Sequence, residues 1–258
     1  MTTLAKMAAG ALLAAGLAGL APSAGAAGPT GTSDAFCGDL KNAYGPYDYR
    51  RGRTDFRENL ILVENGHFTS DVQRGIKGST GTLGQDLDYA LRAFPNHAPA
   101  LDTLQRIALR DRVYILPGGR RPVECYFNRA IRFAADDPAV YAVYGNYLSA
   151  LGRTADALNM FATAATLDPE NPTVNYNLGL LHFKSKHPEL ANKYAQKAYA
   201  LGFPLPGLKR LLVEAGKWDE SAAPAPKPAT PAAAAEQGGA AEAKPEAADQ
   251  AAPEASKD

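Results

Sequence analysis

The sequence predicts an all-α solenoid of stacked helical hairpins with a C-terminal capping helix and a small irregular N-terminal segment. The first observation behind this prediction is self-similarity at an interval of 34 residues, the spacing from Pro138 to Pro172;. The second is helical periodicity, because in each unit apolar residues recur at helical spacing for about 14 residues, stop at a turn and resume for about 14 more. Each unit is therefore expected to be two antiparallel helices that bury their apolar faces by stacking on neighbouring units.

The two units share in-phase positions along their whole length. In the first unit these are Pro138, Tyr144, Gly145, Ala157, Phe161, Ala164 and Leu167, and in the second Pro172, Leu178, Gly179, Ala191, Ala195, Ala198 and Leu201. The turns between helices are predicted at Gly152-Arg153 and at residues 186–188;. The small residues are expected to let the paired backbones approach while larger side chains fill the flanks.

These positions resemble the tetratricopeptide repeat (TPR). In that family a large apolar residue and Gly lie on the first helix, Ala, an aromatic residue and Ala on the second, and Pro at the closing turn. The segments VYGNYLSALGRTADALNMFATAATLDP and NYNLGLLHFKSKHPELANKYAQKAYALGFP carry this pattern. The resemblance implies a TPR-like helical-hairpin solenoid with right-handed stacking.

A weaker unit lies upstream. Leu101 and Leu104 take first-helix positions, and Phe127 and Ala130 stand one period before Phe161 and Ala164. This unit departs from the family pattern in two ways: Gln105 replaces the small residue, and the insertion RDRVYILPGGRRP separates its helices.

The predicted repeat domain covers residues 82–218. Its units are residues 97–136, 138–171 and 172–204, followed by a cap at 205–218. Upstream of them, LDYALRAFPNH is predicted to be a lone helix that starts the stack, with Leu87 and Ala90 on its inner face. The cap has Leu208, Leu211, Leu212 and Ala215 on one side, as expected of a helix that covers the last apolar face of a stack;.

Residues 27–81 are predicted to form an irregular segment packed on the repeats. NLILVE at 59–64 and RVYIL at 112–116 are short β-like runs that could pair as a ribbon leaning on the helices;. HFTSDVQRGIKG predicts a capped helix of two turns that ends at Gly78;.

The two ends of the chain indicate export. Lys6, the apolar run at 7–20 and the small residues 24–26 predict a signal peptide over residues 1–26;. The run is shorter than the ~20 residues that cross a bilayer, so no transmembrane anchor is expected. Residues 219–258 have neither an aromatic residue nor an aliphatic one larger than Ala, which predicts a disordered Ala/Pro-rich tail;.

Cys37 and Cys125 are the only cysteines. In the periplasm of a bacterium, or outside the cell, they are expected to form a disulfide, and two unpaired, partly buried thiols are the alternative.

Charge and motifs argue against several classes of function. The chain has 27 basic and 27 acidic residues, so no basic field predicts nucleic-acid binding;. His67, His97, His182 and His187 are too scattered for the common zinc motifs, and no nucleophile-elbow or phosphate-loop motif is present;. The sequence therefore predicts a protein without catalytic residues, metal site or cofactor.

A groove for a peptide is the first predicted site. The resemblance implies that first helices line a concave face and that Asn at their sixth and ninth positions binds a peptide backbone. Asn177 is a sixth position and Asn146 a ninth, and Tyr141 and Leu181 are expected beside them. An amide supplies a donor and an acceptor, which suits an extended main chain. The lysine of the family's carboxylate clamp is replaced by Ala142, and a solvated polar face is the alternative interpretation.

A second predicted surface combines aromatic and basic side chains. It consists of Tyr44, Tyr47, Tyr49, Arg50, Arg51 and Arg53, to which Arg120, Arg121, Arg129 and Arg132 could add. Tyr supplies contact area and Arg meets anionic groups, although a solvated charged face would show the same pattern.

Two hypotheses about function follow. The first is a periplasmic interaction module or scaffold that binds a peptide or protein segment of the cell envelope in the concave groove. The second is an accessory subunit of a cell-envelope enzyme or complex, in which the Tyr/Arg segment contacts a saccharide or acidic ligand.

Overall fold

The computed structural model describes residues 34–219, so the predicted signal peptide and, from residue 220 on, the predicted tail lie outside the described residues. Within them the chain is all-helical, which confirms the predicted fold class. The α-helices are α1 (Asp34–Cys37), α2 (Arg57–His67), α3 (Ser70–Gln73), α4 (Leu83–Ala93), α5 (Ala98–Asp111), α6 (Val123–Phe133), α7 (Pro138–Ala150), α8 (Thr154–Leu167), α9 (Pro172–Lys184), α10 (Pro188–Ala200) and α11 (Gly207–Glu214), with one 3-10 turn at Tyr49–Arg51.

The helices pack as a series of hairpins. The helix pairs α7/α8 and α9/α10 make the most extensive contacts, and α8 packs on α9. Upstream, α5 contacts both α6 and α7, so the unit with the insertion also joins the stack. The helix predicted to start the stack alone, α4, packs on α2. The stack therefore has one more helix pair at its N-terminal end than the sequence predicts.

The first helices α5, α7 and α9 begin in the same way. The residue before each one accepts a hydrogen bond from the first turn: His97 from the N–H of Ala100, Asp137 from that of Ala139, and Asn171 from that of Val174. A proline follows at the first or second helical position in all three. Since the first turn leaves N–H groups unpaired and tolerates Pro, this combination fixes where each first helix starts.

Two glycines allow the close packing that the repeat pattern predicts. A Cβ atom on Gly145 would lie 2.8 Å from Cε2 of Phe161, and one on Gly179 would lie 2.5 Å from Cδ2 of Leu208. Gly145 thus makes room for the second helix of its own unit. Gly179 makes room for the capping helix α11, which the sequence placed correctly.

The structure corrects the predicted β-ribbon. NLILVE lies inside α2, where Leu60 and Val63, three residues apart, are buried in the core. RVYIL follows α5 as turns and bends, beginning at Arg112 in the left-handed conformation with a φ of 53°. Residues 34–219 contain no strand.

The predicted two-turn helix ending at Gly78 is also shorter than expected. It is the single turn α3, after which Gly75 adopts a φ of 68° where Ile107 packs closely against it. A side chain at this position would meet Ile107 in a backbone conformation that favours glycine.

One continuous core extends from α2 to α9, and a second cluster joins α10 to α11. Cys37 and Cys125 form a disulfide that connects α1 to α6, and both residues are fully buried. Among residues 34–219, no helix has the length and apolar character needed to span a bilayer.

Candidate functional site

A cavity of about 1040 Å³ opens along the first helices. Pro99, Asp102, Thr103 and Arg106 of α5 form one side, and Val143 of α7 extends it to the next unit. Tyr49, Arg53, Glu64, Phe68 and Gln73 form the other side, from the N-terminal segment, α2 and α3. We call this cavity, together with Asn146 and Asn177, the first-helix groove.

Asn146 and Asn177 lie next to each other on adjacent units. The Nδ2 of Asn177 donates to Oδ1 of Asn146 over 3.2 Å, with Asn146 exposed and Asn177 half-buried. Asn146 is three residues beyond Val143, so both lie on one face of α7. Within residues 34–219 this bond leaves the two N–H donors of Asn146 and the carbonyl oxygen of Asn177 available for a ligand;.

Tyr141 and Leu181 have a different position from the one predicted. Tyr141 is 8% exposed and Leu181 3%, and both belong to the core cluster. The Tyr141 hydroxyl donates to the main-chain oxygen of Ala135 over 3.0 Å, and burial raises its pKa. These two side chains support α7 and α9 from inside, and the exposed part of the predicted site is the pair of Asn amides.

Most charged side chains on the groove are already paired. The Nε of Arg106 donates to Asp102 over 2.8 Å, and its Nη2 donates to the main-chain oxygen of Gln73 over 2.9 Å. This interaction ties α5 to α3. Arg106 and Asp102 therefore shape the wall and contribute little net charge to it.

His97 lies under the groove, fully buried. Its Nδ1 accepts from the N–H of Ala100, so a neutral ring carries its proton on Nε2, which is 3.4 Å from Oε1 of Glu64. Burial lowers the pKa of His97, and Glu64 opposes that effect. The ring stacks on Tyr49 with 4.0 Å between centroids, which holds the N-terminal segment against the start of α5.

The predicted Tyr/Arg surface is mostly a packing surface. Tyr44, Tyr47 and Tyr49 are half-buried against the core. Arg50 pairs with Asp48 over 2.6 Å and with Asp136 over 3.0 Å, and it holds the pKa of Asp48 at about 2 through their hydrogen bonds. Arg51 pairs with Asp55.

Arg53 is the exception among these residues. It is exposed, lines the first-helix groove, and has no ion pair within the part of the chain that is described. Tyr49 lines the same groove. Tyr49 and Arg53 thus lie on a cavity that also includes Val143 of α7, three residues before Asn146, a proximity that no local pattern in the sequence indicates.

Three of the remaining arginines hold the N-terminal segment to α6 and to the loop before it, and the fourth contacts α4. The guanidinium of Arg121 donates to the main-chain oxygen of Cys37 over 3.1 Å, and that of Arg132 to the oxygen of Gly38 over 2.6 Å. Arg129 donates to the oxygen of Asp39 and is buried, which together with Arg121 and Arg132 lowers its pKa to about 10. Arg120 lies 3.5 Å from buried Asp88.

The side chains of His67 and His182 contact residues that support the fold. His67 lies 2.9 Å from Asp86, which also accepts from the N–H groups of Ser79 and Thr80 and so organises that loop. His182 stacks on Tyr194 with 5.4 Å between centroids. Among the described residues no three His, Cys, Asp or Glu side chains are grouped as metal ligands would be.

Comparison with known proteins agrees with this geometry. Residues 145–186, from Gly145 on α7 to the end of the turn after α9, match the sequence model of the TPR repeat. The described chain is thus an all-helical, TPR-like solenoid, and proteins of this class generally bind other proteins and lack catalytic activity.

Among solved structures, the chain is similar to pilF from Pseudomonas aeruginosa, with 22% sequence identity and a TM-score of 0.46. The matched region covers 64% of this chain and 72% of that one. A comparison with curated proteins found no match.

Proposed function

We propose that this protein is an exported interaction module that binds an extended peptide segment of a cell-envelope protein in the first-helix groove. The observation that carries the proposal is the pair of amides of exposed Asn146 and half-buried Asn177, hydrogen-bonded across two units, with Asn146 three residues beyond Val143 of the open cavity. Together they offer the N–H donors of Asn146 and the carbonyl acceptor of Asn177, the kinds of group that an extended peptide main chain needs.

The dimensions of the groove suit a short peptide. Helix α5 packs on α7, and the Asn146–Asn177 hydrogen bond joins α7 to α9, so at about 8–10 Å per helix spacing the path across the three first helices is about 20 Å long;. An extended chain covers that distance with about six residues at ~3.3 Å each. Such a peptide would contact the amides at one end and the wall of Tyr49 and Arg53 at the other.

Export is the second part of the proposal. The predicted signal peptide at residues 1–26 supports it, as does the buried Cys37–Cys125 disulfide, a type of bond that persists mainly in oxidising compartments;. The partner would then be a protein of the periplasm or cell surface.

Photo-crosslinking in living cells tests the proposal. We place p-benzoylphenylalanine at Val143, inside the first-helix groove, and as a matched control at Asn159, which is exposed on the second helix α8. A covalent adduct is expected at position 143 only, and Asn146→Ala combined with Asn177→Ala should abolish it. Equal adducts at both positions, or an adduct that persists in the double variant, would contradict the groove as the binding site.

The second candidate function is an accessory subunit of a cell-envelope enzyme or complex that contacts a saccharide or acidic ligand. The location of Tyr49 and Arg53 on the groove favours it, because an aromatic face and an unpaired guanidinium suit such a ligand;. If Arg53→Ala removes the adduct and the double Asn variant keeps it, this second function gains support over the first.

A further inference from the structure

The loop between α5 and α6 leaves apolar side chains exposed. It covers residues 112–122, whereas the turns of the next two hairpins are only residues 151–153 and 185–187. Tyr114 in this loop is 56% exposed and Ile115 is 45% exposed, and neither belongs to the core clusters of the stack. Because a short turn is enough to connect paired helices, these exposed side chains indicate a role outside the stack.

Contacts on the inner side of the loop fix its position. Leu116 is buried, and the main-chain oxygen of Pro117 accepts from Oγ1 of Thr82, before α4, over 2.8 Å. A cavity of about 280 Å³ beside the loop includes Leu116 and Pro117 but not Tyr114 or Ile115. The two exposed side chains therefore project from an anchored loop and do not line this cavity.

Two further exposed apolar side chains lie at the same end of the first helices. Ile76, 59% exposed, precedes Lys77, which borders the same cavity. Leu151, 45% exposed, follows the last residue of α7 and lies one turn after Tyr147. The pKa of Tyr147 is raised to about 12, mainly by burial, and Tyr114 is among the neighbours that add to this rise, so Tyr114 lies near this end of α7. We call Ile76, Tyr114, Ile115 and Leu151 the apolar edge.

The same loop carries an excess of positive charge. Residues 110–121 contain four arginines and one aspartate, which gives a net charge of +3 in a chain whose net charge is zero. One of these arginines pairs with the aspartate over 2.7 Å. Arg112 is exposed and has no ion pair within residues 34–219, and the side chain of Arg120 is 68% exposed. Two cations beside the apolar edge are thus accessible to an anionic partner.

We propose that the apolar edge docks this protein on the surface of an anionic lipid bilayer. Tyr114 and Ile115 enter the boundary between headgroups and acyl chains, where the amphipathic ring of a tyrosine is favoured. Arg112 and Arg120 contact the headgroup phosphates, since an anionic membrane surface attracts cations that lie close to it. The protein is held at the surface and does not cross the bilayer.

Two observations favour a bilayer over a protein partner. The strongest contacts of protein interfaces lie in well-packed pockets, whereas Tyr114 and Ile115 project beside a cavity that they do not line. The arginines lie on the same short loop, as insertion of apolar side chains combined with headgroup contact requires. The edge lies at the ends of α5 and α7, and the first-helix groove is lined by earlier residues of both helices, so the proposal does not depend on a peptide bound there.

Flotation with lipid vesicles tests this proposal. The chain from residue 27 onward, without the predicted signal peptide, is mixed with vesicles of phosphatidylcholine and phosphatidylglycerol in equal parts, or of phosphatidylcholine alone. The protein is expected to float with the anionic vesicles and to bind the neutral ones more weakly. Tyr114→Ser combined with Ile115→Ser should lower the partition coefficient about tenfold or more, because both side chains bury apolar area in the bilayer.

Matched variants separate the apolar and the electrostatic contributions. Leu190→Ser combined with Val213→Ser removes two exposed apolar side chains of α10 and α11, outside the edge, and should leave the partition coefficient unchanged. Arg112→Asn places a residue that tolerates the left-handed backbone at a φ of 53° and should weaken binding about fivefold on anionic vesicles only;. All five side chains are exposed, so each variant should keep the circular dichroism spectrum of the parent.

A fluorescent label identifies the face that meets the lipid. The fluorophore NBD, attached at Ile115→Cys with the native disulfide intact, should show a stronger and blue-shifted emission when anionic vesicles are added. The same label at Val213→Cys should show no change.

Three outcomes would overturn the proposal. The first is the absence of flotation with anionic vesicles. The second is binding that persists undiminished in the variant with serine at positions 114 and 115. The third is an unchanged emission of the label at position 115, because the lipid would then contact another face and the exposed loop would be left for a protein partner.

Discussion

Replacing Gly145 by Ala should destabilise the protein, although Ala is the better helix former. The added Cβ would lie 2.8–3.0 Å from three atoms of the Phe161 ring, which is rigid and only 1% exposed. Overpacking of this kind costs about 1–3 kcal/mol, while the change from Gly to Ala in a helix contributes about 1 kcal/mol in the opposite direction. With the middle of the overpacking range, the free energy of unfolding should fall by about 1 kcal/mol in total.

Gly66→Ala is the matched control. Gly66 lies in α2, and a Cβ there would have no atom within 4 Å, so only the gain in helix propensity applies. This variant should stabilise the protein by up to ~1 kcal/mol. The two substitutions are chemically identical, and their difference of about 2 kcal/mol isolates the contact between the paired helices.

Urea unfolding followed by circular dichroism at 222 nm measures both variants. We expect the midpoint to fall for Gly145→Ala and to rise for Gly66→Ala, with unchanged slopes. If Gly145→Ala proved as stabilising as Gly66→Ala, the close approach of α7 and α8 at Phe161 would be refuted, and with it the steric reason for the small residues of the repeat.

Three further predictions concern the caps, the disulfide and the ion pair at Arg50. Asn171→Ala removes the acceptor for the Val174 N–H and should lower the free energy of unfolding by about 1 kcal/mol in the same urea assay. The control is Asn159→Ala, on the exposed surface of α8, whose free energy of unfolding should stay within about 0.5 kcal/mol of the parent. Replacing Cys37 and Cys125 by Ser opens a loop with a sequence separation of 88 and should cost roughly 3–4.5 kcal/mol; an unchanged melting temperature by calorimetry would contradict this. Because the folded pKa of Asp48 is lowered from 3.8 to about 2, its contribution to stability is present above pH 4 and is lost as pH falls toward 2;. Acid titrations should therefore show a smaller loss of stability for Asp48→Asn than for the parent over this interval, and parallel curves would count against the Arg50–Asp48 pair.

The segment NLILVE shows how local sequence misleads at the N-terminal end. Its branched residues and short length favour a strand, since periodicity cannot separate a short buried strand from a buried helix. The structure places it in α2 because Leu60 and Val63 share one helical face that packs on α4. Helix α4 is about 25 residues away along the chain, so the local sequence around NLILVE does not indicate the contact with it.

The candidate site also has one part that the sequence predicts and one part that it does not. Asn146 and Asn177 could be placed on neighbouring first helices from their repeat positions, and the structure has their side chains 3.2 Å apart. The burial of Tyr141 and Leu181 depends on how α7 and α9 rotate against their neighbours, which repeat positions alone do not specify.

The amino-acid sequence by itself determined the helical hairpins and their glycines, because these features repeat at 34 residues, and it determined the cap, because the apolar residues of that helix recur on one side;. Only the tertiary structure decided that Tyr49 and Arg53 face α5 and α7 across one groove while Arg50 is held by Asp136. The physical reason is that ion pairs and ring contacts between residues far apart in sequence form only after the hairpins have stacked. Their geometry is a property of the assembled stack and leaves no periodic pattern in the chain.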